Sequence, residues 1–297
     1  MAAAPAGVDQ PSGAPMGFFR KHFKGGYPLA RAYWLHLFAF QFAFLAASIV
    51  LLDRVAQTFQ ARYSSAAAIV LVVFGYLVWG WSVGGTWASA SKHPGRGGRR
   101  NWAVVVKFLI VAGGVRLLLA TPDNIATIGE HWEVALGAQL GPPVSLRVSR
   151  DGKAIVLAGG INDGAAAALA QALDRAPTVT TVVLRSGGGW TREGRLLAST
   201  IAARGLQTRV DTECSSACTI AFLAGKVRTV QPGARLGFHA FSTVGGGEAI
   251  GRSVHDTYRN AGLAEAFIAK IAATPPQQMW YPGADELFRY GVLTLPA

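Results

Sequence analysis

Between Ala32 and Leu52 the chain reads AYWLHLFAFQFAFLAASIVLL, twenty-one residues without a charged side chain. As a helix rising 1.5 Å per residue, such a run covers the ~30 Å hydrocarbon thickness of a bilayer. It is too long for a removable signal peptide and lacks the small-residue cleavage site of one. A second run, from Ala66 to Ala88, is as apolar and gathers Tyr76, Trp79, Trp81 and Trp87 toward its far end. Aromatic side chains with a polar edge settle at the membrane–water boundary. The third run, Trp102 to Thr121, contains Lys107 and Arg116, each about five residues from an end, where an aliphatic stem can return the charge to the headgroups. The same run also fits an interfacial or re-entrant helix. Three such runs within 121 residues exclude a chain that is soluble throughout.

Charge placement sets the expected orientation. The formal net charge is +12, and residues 1–121 hold twelve Lys or Arg against only Asp9 and Asp53. Residues 122–297 hold sixteen basic and fourteen acidic side chains, so the excess flanks the apolar runs. No basic face with interleaved aromatics is present, which argues against a nucleic-acid partner. Arg20, Lys21, Lys24 and Arg31 precede the first run, and Lys92, Arg96, Arg99 and Arg100 follow the second, whereas Arg54 and Arg62 alone lie between them. Positive loops stay inside. The expected organisation is a flexible cytoplasmic tail over 1–30 and a membrane domain over 31–121, with spans near 32–52, 66–88 and 102–121. A linker over 122–150 with one helical stretch (ATIGEHWEVALGAQ) and an extracytoplasmic domain over 151–297 follow; if the source is a Gram-negative bacterium, the spans lie in its inner membrane and the domain is periplasmic. His36 and Gln41 inside the first run fit helix-to-helix hydrogen bonds better than a polar path and receive no function.

Past residue 150 the pattern alternates. AIVLAG (154–159) and TTVVLR (180–185) read as buried strands, with a helix over 163–176 between them. A glycine turn, SGGG, leads into a helix from about Trp190 to Arg204, then a strand QTRVD, then CSSACTIAFLAG, a turn into an apolar helix. Short strands RTV and RLGFH follow, with more helix from about Ile250 to Ala272. Strands separated by helices of ten or more residues require crossovers, hence an α/β domain with parallel pairing. Cys214 and Cys218 have no further cysteine to complete a ligand set, and the histidines are scattered, so neither a metal nor another cofactor is expected.

The segments IVLAGGIND, TTVVLRSGGGWTREG, CSSACTIAFLAG and PGARLGFH stand in the order and near the spacing of the Clp protease proteolytic subunit. Over about residues 154–292 the chain resembles that family, part of the wider Clp/crotonase superfamily. With its preceding spans it resembles a group of bacterial membrane-anchored proteins predicted to be periplasmic Clp-like serine peptidases. The resemblance implies Ser216 as nucleophile and His239 as general base. It implies an oxyanion hole from the backbone N–H groups of Gly189, with Gly188 beside it, and of Ala217. Ser216 also stands where a helix begins, whose dipole favours an alkoxide; a plain N-cap serine would stand there equally well.

One position departs from the family pattern. Met279 stands where the family has its aspartate, and a thioether cannot orient an imidazole electrostatically. Asp256, Asp285 and Glu286 are the nearest acids in sequence, and none matches the motif. Another acid or a backbone carbonyl replaces it, or the site is a slow dyad, or it is inactive. Cys214 and Cys218 bracket the serine. A bridge between them fits an oxidising compartment, and two buried thiols fit equally well.

The expected function is a membrane-anchored serine peptidase or hydrolase acting on protein or peptide substrates outside the cytoplasm. The alternative is an inactive Clp-fold protein that binds peptides or a membrane partner. A crotonase-type enzyme acting on coenzyme A thioesters is disfavoured by the compartment. The stretch from His239 to Tyr290 is shorter than the family's, so stacked sealed rings are not expected, while a smaller homo-oligomer stays open.

Overall fold

The computed structural model describes residues 17–240 and 252–294. Two compact units make up the chain: residues up to Leu51 together with Val70–Pro122, and Leu52–Ile69 together with Asp123 onward. The first sixteen residues of the expected tail, the start of the helix expected from Ile250, and Ala297 lie outside the described residues.

The first unit is helical. After a short helix α1 (Phe18–Phe23), three helices among the described residues are by length and composition able to cross a membrane: α2 (Leu29–Thr58), α3 (Ala61–Lys92) and α4 (Arg100–Leu119). Their middles carry large side chains outward, including Phe42, Leu77 and Phe108, an exposure that suits lipid rather than water. The third run is one continuous helix, and Lys107 places its ammonium 5.0 Å from the Trp87 ring centre. A cation over an indole face is partly compensated for lost water.

The flexible tail expected over 1–30 is corrected from Gly17 onward. Arg96 donates to the carbonyls of Tyr27 (3.0 Å) and Gly25 (2.7 Å), and Lys92 donates to that of Lys24 (2.8 Å). These cations satisfy carbonyls of the turn that follows α1, which no helix bond uses. Gly25 adopts φ +64° and lies so close to α3 that a Cβ would stand 2.6 Å from the Ala88 carbonyl carbon. His22 and His36 are buried and share a 2.8 Å hydrogen bond between their Nδ1 atoms.

The second unit is α/β. Helix α5 (Thr121–Ala135) and strand β1 (Ser145–Val148) occupy much of the stretch expected as linker. β1 pairs antiparallel with β2 (Ala154–Ala158), an edge strand whose four residues are mostly exposed. Helix α6 (Ala165–Arg175) leads to β3 (Thr181–Ser186), and α7 (Thr191–Ala203) to β4 (Gln207–Ser215); β2, β3 and β4 pair in parallel. After α8 (Ala217–Leu223), β5 (Arg228–Val230) and β6 (Arg235–Gly237) both pair with β4, one along its first half and one along its last. Ile155, Leu157, Val182, Leu184 and Val210 are fully buried within this sheet. The late helical region divides at Gly262 (φ +83°) into α9 (Arg252–Asn260) and α10 (Glu265–Ala273), and α11 (Ala284–Arg289) closes the described chain.

Within the expected membrane domain over 31–121, the segment Leu52–Ile69, the end of α2, the turn at Phe59–Gln60 and the start of α3, groups with the α/β unit. Both helices continue past their apolar runs, through Asp53 and Arg54 on one side and Arg62 on the other, because those polar residues are ordinary helix formers.

Candidate active site

Parallel strands gather their loops at their carboxyl ends, where open α/β sheets place ligands. Two such loops meet here. Beyond β3, Gly187–Trp190 form an extended strap held by Ile161, whose N–H donates to the Gly188 carbonyl (2.8 Å) and whose carbonyl accepts from the Trp190 N–H (2.8 Å). Beyond β4 the chain turns at Ser216 into α8. The strap lies against that turn: a Cβ on Gly188 (φ +113°) would stand 2.7 Å from Ser216 Cβ.

Ser216 has φ +53° and ψ −126°, and among the described residues no other non-glycine has positive φ. That conformation costs about 1–3 kcal/mol and persists only where the surroundings fix it. Its N–H donates to the Gly237 carbonyl (2.9 Å), and its own carbonyl accepts from the N–H (2.9 Å) and hydroxyl (2.7 Å) of Thr219. Cys214 and Cys218 form a disulfide with Cα atoms 5.3 Å apart, joining the end of β4 to the first turn of α8 across the serine. A bridge closing so short a loop stabilises by roughly 2 kcal/mol in the chain-entropy account. Replacing both cysteines by serine is expected to lower the unfolding temperature of the detergent-solubilised protein by several degrees. An unchanged midpoint would show that the turn holds itself.

His239 is brought to this serine by β6 and the backbone that follows. Phe238 and Trp280 exchange both backbone hydrogen bonds (2.8 and 2.9 Å), and the Ala240 N–H donates to the Thr274 carbonyl (2.8 Å). His239 Nε2 is 2.7 Å from Ser216 Oγ, and the Pro276 backbone lies close enough to the ring to act on it electrostatically. With Nε2 as the acceptor the ring proton sits on Nδ1, the tautomer in which an imidazole can take a serine proton. The Ser216 hydroxyl then donates to Nε2. Burial pushes the imidazole below its ordinary value of 6.5, and the Pro276 carbonyl offsets part of that shift by favouring the charged form.

The structure thus brings Ser216, His239, Gly188, Gly189 and Ala217 together, and it sorts the glycines. The Gly188 N–H donates to Ser186 Oγ (3.1 Å), so it is not free to bind a developing oxyanion, a correction to its expected place beside Gly189. Among the described residues the N–H groups of Gly189 and Ala217 have no partner. The neighbouring Ser215 is buried and donates to Glu213 Oε1 (2.8 Å), and the same carboxylate binds Arg235 (2.7 Å) and the Tyr281 hydroxyl (3.0 Å). Asp256 is held by Arg259 and Glu286 by Lys270. Met279 lies beside Gly237, where a Cβ would stand 2.8 Å from its Cγ.

Sequence reasoning missed Glu213, Ser186 and the Pro276 carbonyl. Glu213 carried a faint signal as an acid two residues before a serine pair. A main-chain carbonyl carries none, because every residue has one.

No family model and no curated protein matches this chain. Solved structures do. ClpP1 from Listeria monocytogenes is 18% identical with a TM-score of 0.40, over 48% of this chain and 89% of its own. An enoyl-CoA hydratase/isomerase family protein from Silicibacter pomeroyi is 15% identical with a TM-score of 0.36, over 52% of this chain and 74% of its own. An enoyl-CoA hydratase from Mycobacterium smegmatis is 13% identical with a TM-score of 0.38, over 52% and 69%.

Proposed function

We propose that the chain is a membrane-anchored serine hydrolase of the Clp/crotonase type that cuts protein or peptide segments outside the cytoplasm. The observation that carries this reading is the 2.7 Å contact between His239 Nε2 and the hydroxyl of a serine held at φ +53°. In this reading the Ser216 oxygen attacks a carbonyl as its proton passes to Nε2. The N–H groups of Gly189 and Ala217 receive the oxyanion, and the imidazolium then protonates the leaving amine. The Pro276 carbonyl, which favours the charged ring, stands in weakly for the family's aspartate without supplying a full negative charge. Water hydrolyses the acyl-enzyme with His239 again as base.

Two features support the compartment. A disulfide beside the nucleophile suits an oxidising environment, and the positive residues flank the sides of the helices expected inside. An alkaline phosphatase fused after Ala297 is expected to be active and one fused near Gly13 inactive. The reverse result would place the domain in the cytoplasm and remove this reading's substrate class. The chemistry is tested by covalent labelling of the full-length protein with a fluorophosphonate. Folded protein that takes up no label favours the other reading, a domain that binds peptides without cutting them.

A further inference from the structure

The turn joining α2 to α3 leaves backbone groups unsatisfied at two helix ends, the last carbonyls of α2 and the first N–H groups of α3. Two side chains answer them. Arg192 Nη2 donates to the carbonyl of Thr58, the last residue of α2 (3.1 Å), and Asp163 Oδ1 accepts from the N–H of Ala61, the first residue of α3 (3.3 Å). Each has the sign that the helix dipole favours, a cation at the carboxyl end and a carboxylate at the amino end. A third tie, 3.2 Å between His131 Nδ1 and Ser65 Oγ, joins α5 to the start of α3.

These two residues flank the strap. Asp163 follows Ile161 by two positions, and Ile161 clamps Gly189 through its bonds to Gly188 and Trp190. Arg192 follows Trp190 by two positions and pairs with the buried Glu193 (2.9 Å), whose other oxygen accepts from the Ala166 N–H (3.2 Å). Asn162, between Ile161 and Asp163, is fixed as well, bonding the N–H (2.7 Å) and carbonyl (3.2 Å) of Leu140. From Trp190 at the end of the strap and from Ile161 that clamps it, two residues of chain lead to a side chain that caps one of the long apolar helices.

We propose that the segment Leu52–Ile69, the end of α2, the turn at Phe59–Gln60 and the start of α3, is a structural part of the active site, and that Asp163 and Arg192 are positioning residues that keep the Gly189 N–H in register with Ser216. The kinetic consequence rests on the serine-hydrolase reading; the structural content does not. An oxyanion donor acts only when it points at the place the charge will occupy, and a shift of about 1 Å can cost roughly 10²-fold in rate. Neither side chain touches the reacting atoms.

The test compares full-length wild type in lipid vesicles with an Asp163→Ala, Arg192→Ala double variant and with Asp163→Asn, whose amide oxygen can still accept from Ala61. One readout is amide hydrogen exchange at Ile161 and Trp190, with Val182–Leu184 of β3 as the folding control. Exchange at the strap is expected to rise about tenfold or more in the double variant while β3 stays protected, and to stay near wild type in Asp163→Asn. The second readout is saturable acylation by a fluorophosphonate. Its maximal rate constant is expected to fall by roughly 10²-fold with the half-saturating concentration unchanged. If β3 loses protection in the double variant, Asp163→Ala alone is compared with Asp163→Asn on the same readouts. Strap amides that exchange as in wild type overturn the proposal, as does a loosened strap with an unchanged acylation rate. A loosened strap in a protein whose wild type never labels upholds the structural role of the segment and sinks the hydrolase reading instead.

Discussion

A Ser216→Ala variant of the full-length protein is expected to take up no fluorophosphonate, and His239→Ala to react more slowly by a factor on the order of 10⁴. An ordinary serine hydroxyl scarcely ionises at neutral pH, so labelling requires a base on its proton and donors on the developing oxyanion. Both conditions are met by geometry at Ser216 alone of the adjacent pair. Its hydroxyl donates to His239 Nε2 over 2.7 Å, whereas the Ser215 hydroxyl is committed to Glu213 at 2.8 Å. Ser215→Ala should therefore keep most of the labelling while losing a buried hydrogen bond. Rates are read from labelled fraction against time at a fixed probe concentration, with thermal unfolding of each variant as the folding control. Label persisting in Ser216→Ala would place the nucleophile elsewhere and dissolve the assignment of His239 with it.

How far the sequence reached depends on what each feature needs. A helix that crosses a bilayer needs length and apolarity, both visible in single letters, and α2, α3 and α4 lie where the three runs stand. Their extensions into the segment Leu52–Ile69 were not visible, since Asp53, Arg54 and Arg62 read as a loop by charge yet continue the helices. Strand β1 escaped because an exposed edge strand of four residues with two polar side chains has no hydrophobic pattern to display. The tail from Gly17 was read as flexible because its partners lie far along the chain, at Lys92 and Arg96. At the site, motif register sufficed to bring Ser216 and His239 forward as a pair. It could not tell which glycine N–H remains free, because that is decided by the Ser186 hydroxyl taking the one on Gly188.

Met279→Asp is expected to raise the acylation rate at neutral pH and to move the acidic limb of its pH profile upward. The side-chain direction follows from the backbone. Phe238 and Trp280 form a hydrogen-bonded antiparallel pair, so residues 237, 239, 279 and 281 project to the opposite face from that pair. A Cβ on Gly237 would indeed meet both Met279 Cγ and Tyr281 Cε1 at 2.8 Å. An aspartate at 279 therefore shares a face with the imidazole. In wild type the base must be neutral to accept the serine proton, and burial holds His239 below its ordinary 6.5. Activity should then persist as pH falls past 6.5 and decline only through the lowered value. A carboxylate beside the ring favours the imidazolium, raising that value and so shifting the limb to higher pH. The same carboxylate stabilises the imidazolium that forms as Ser216 attacks, which lifts the plateau. Losing the acid from an evolved triad costs about 10⁴, so a gain of roughly 10–100-fold is expected from a site not shaped around an acid at 279. Met279→Asn, equal in shape and without charge, should leave the limb where wild type has it. Profiles of labelling rate from pH 4 to pH 9 decide the matter: an aspartate that moves neither plateau nor limb would mean that residue 279 does not reach the ring.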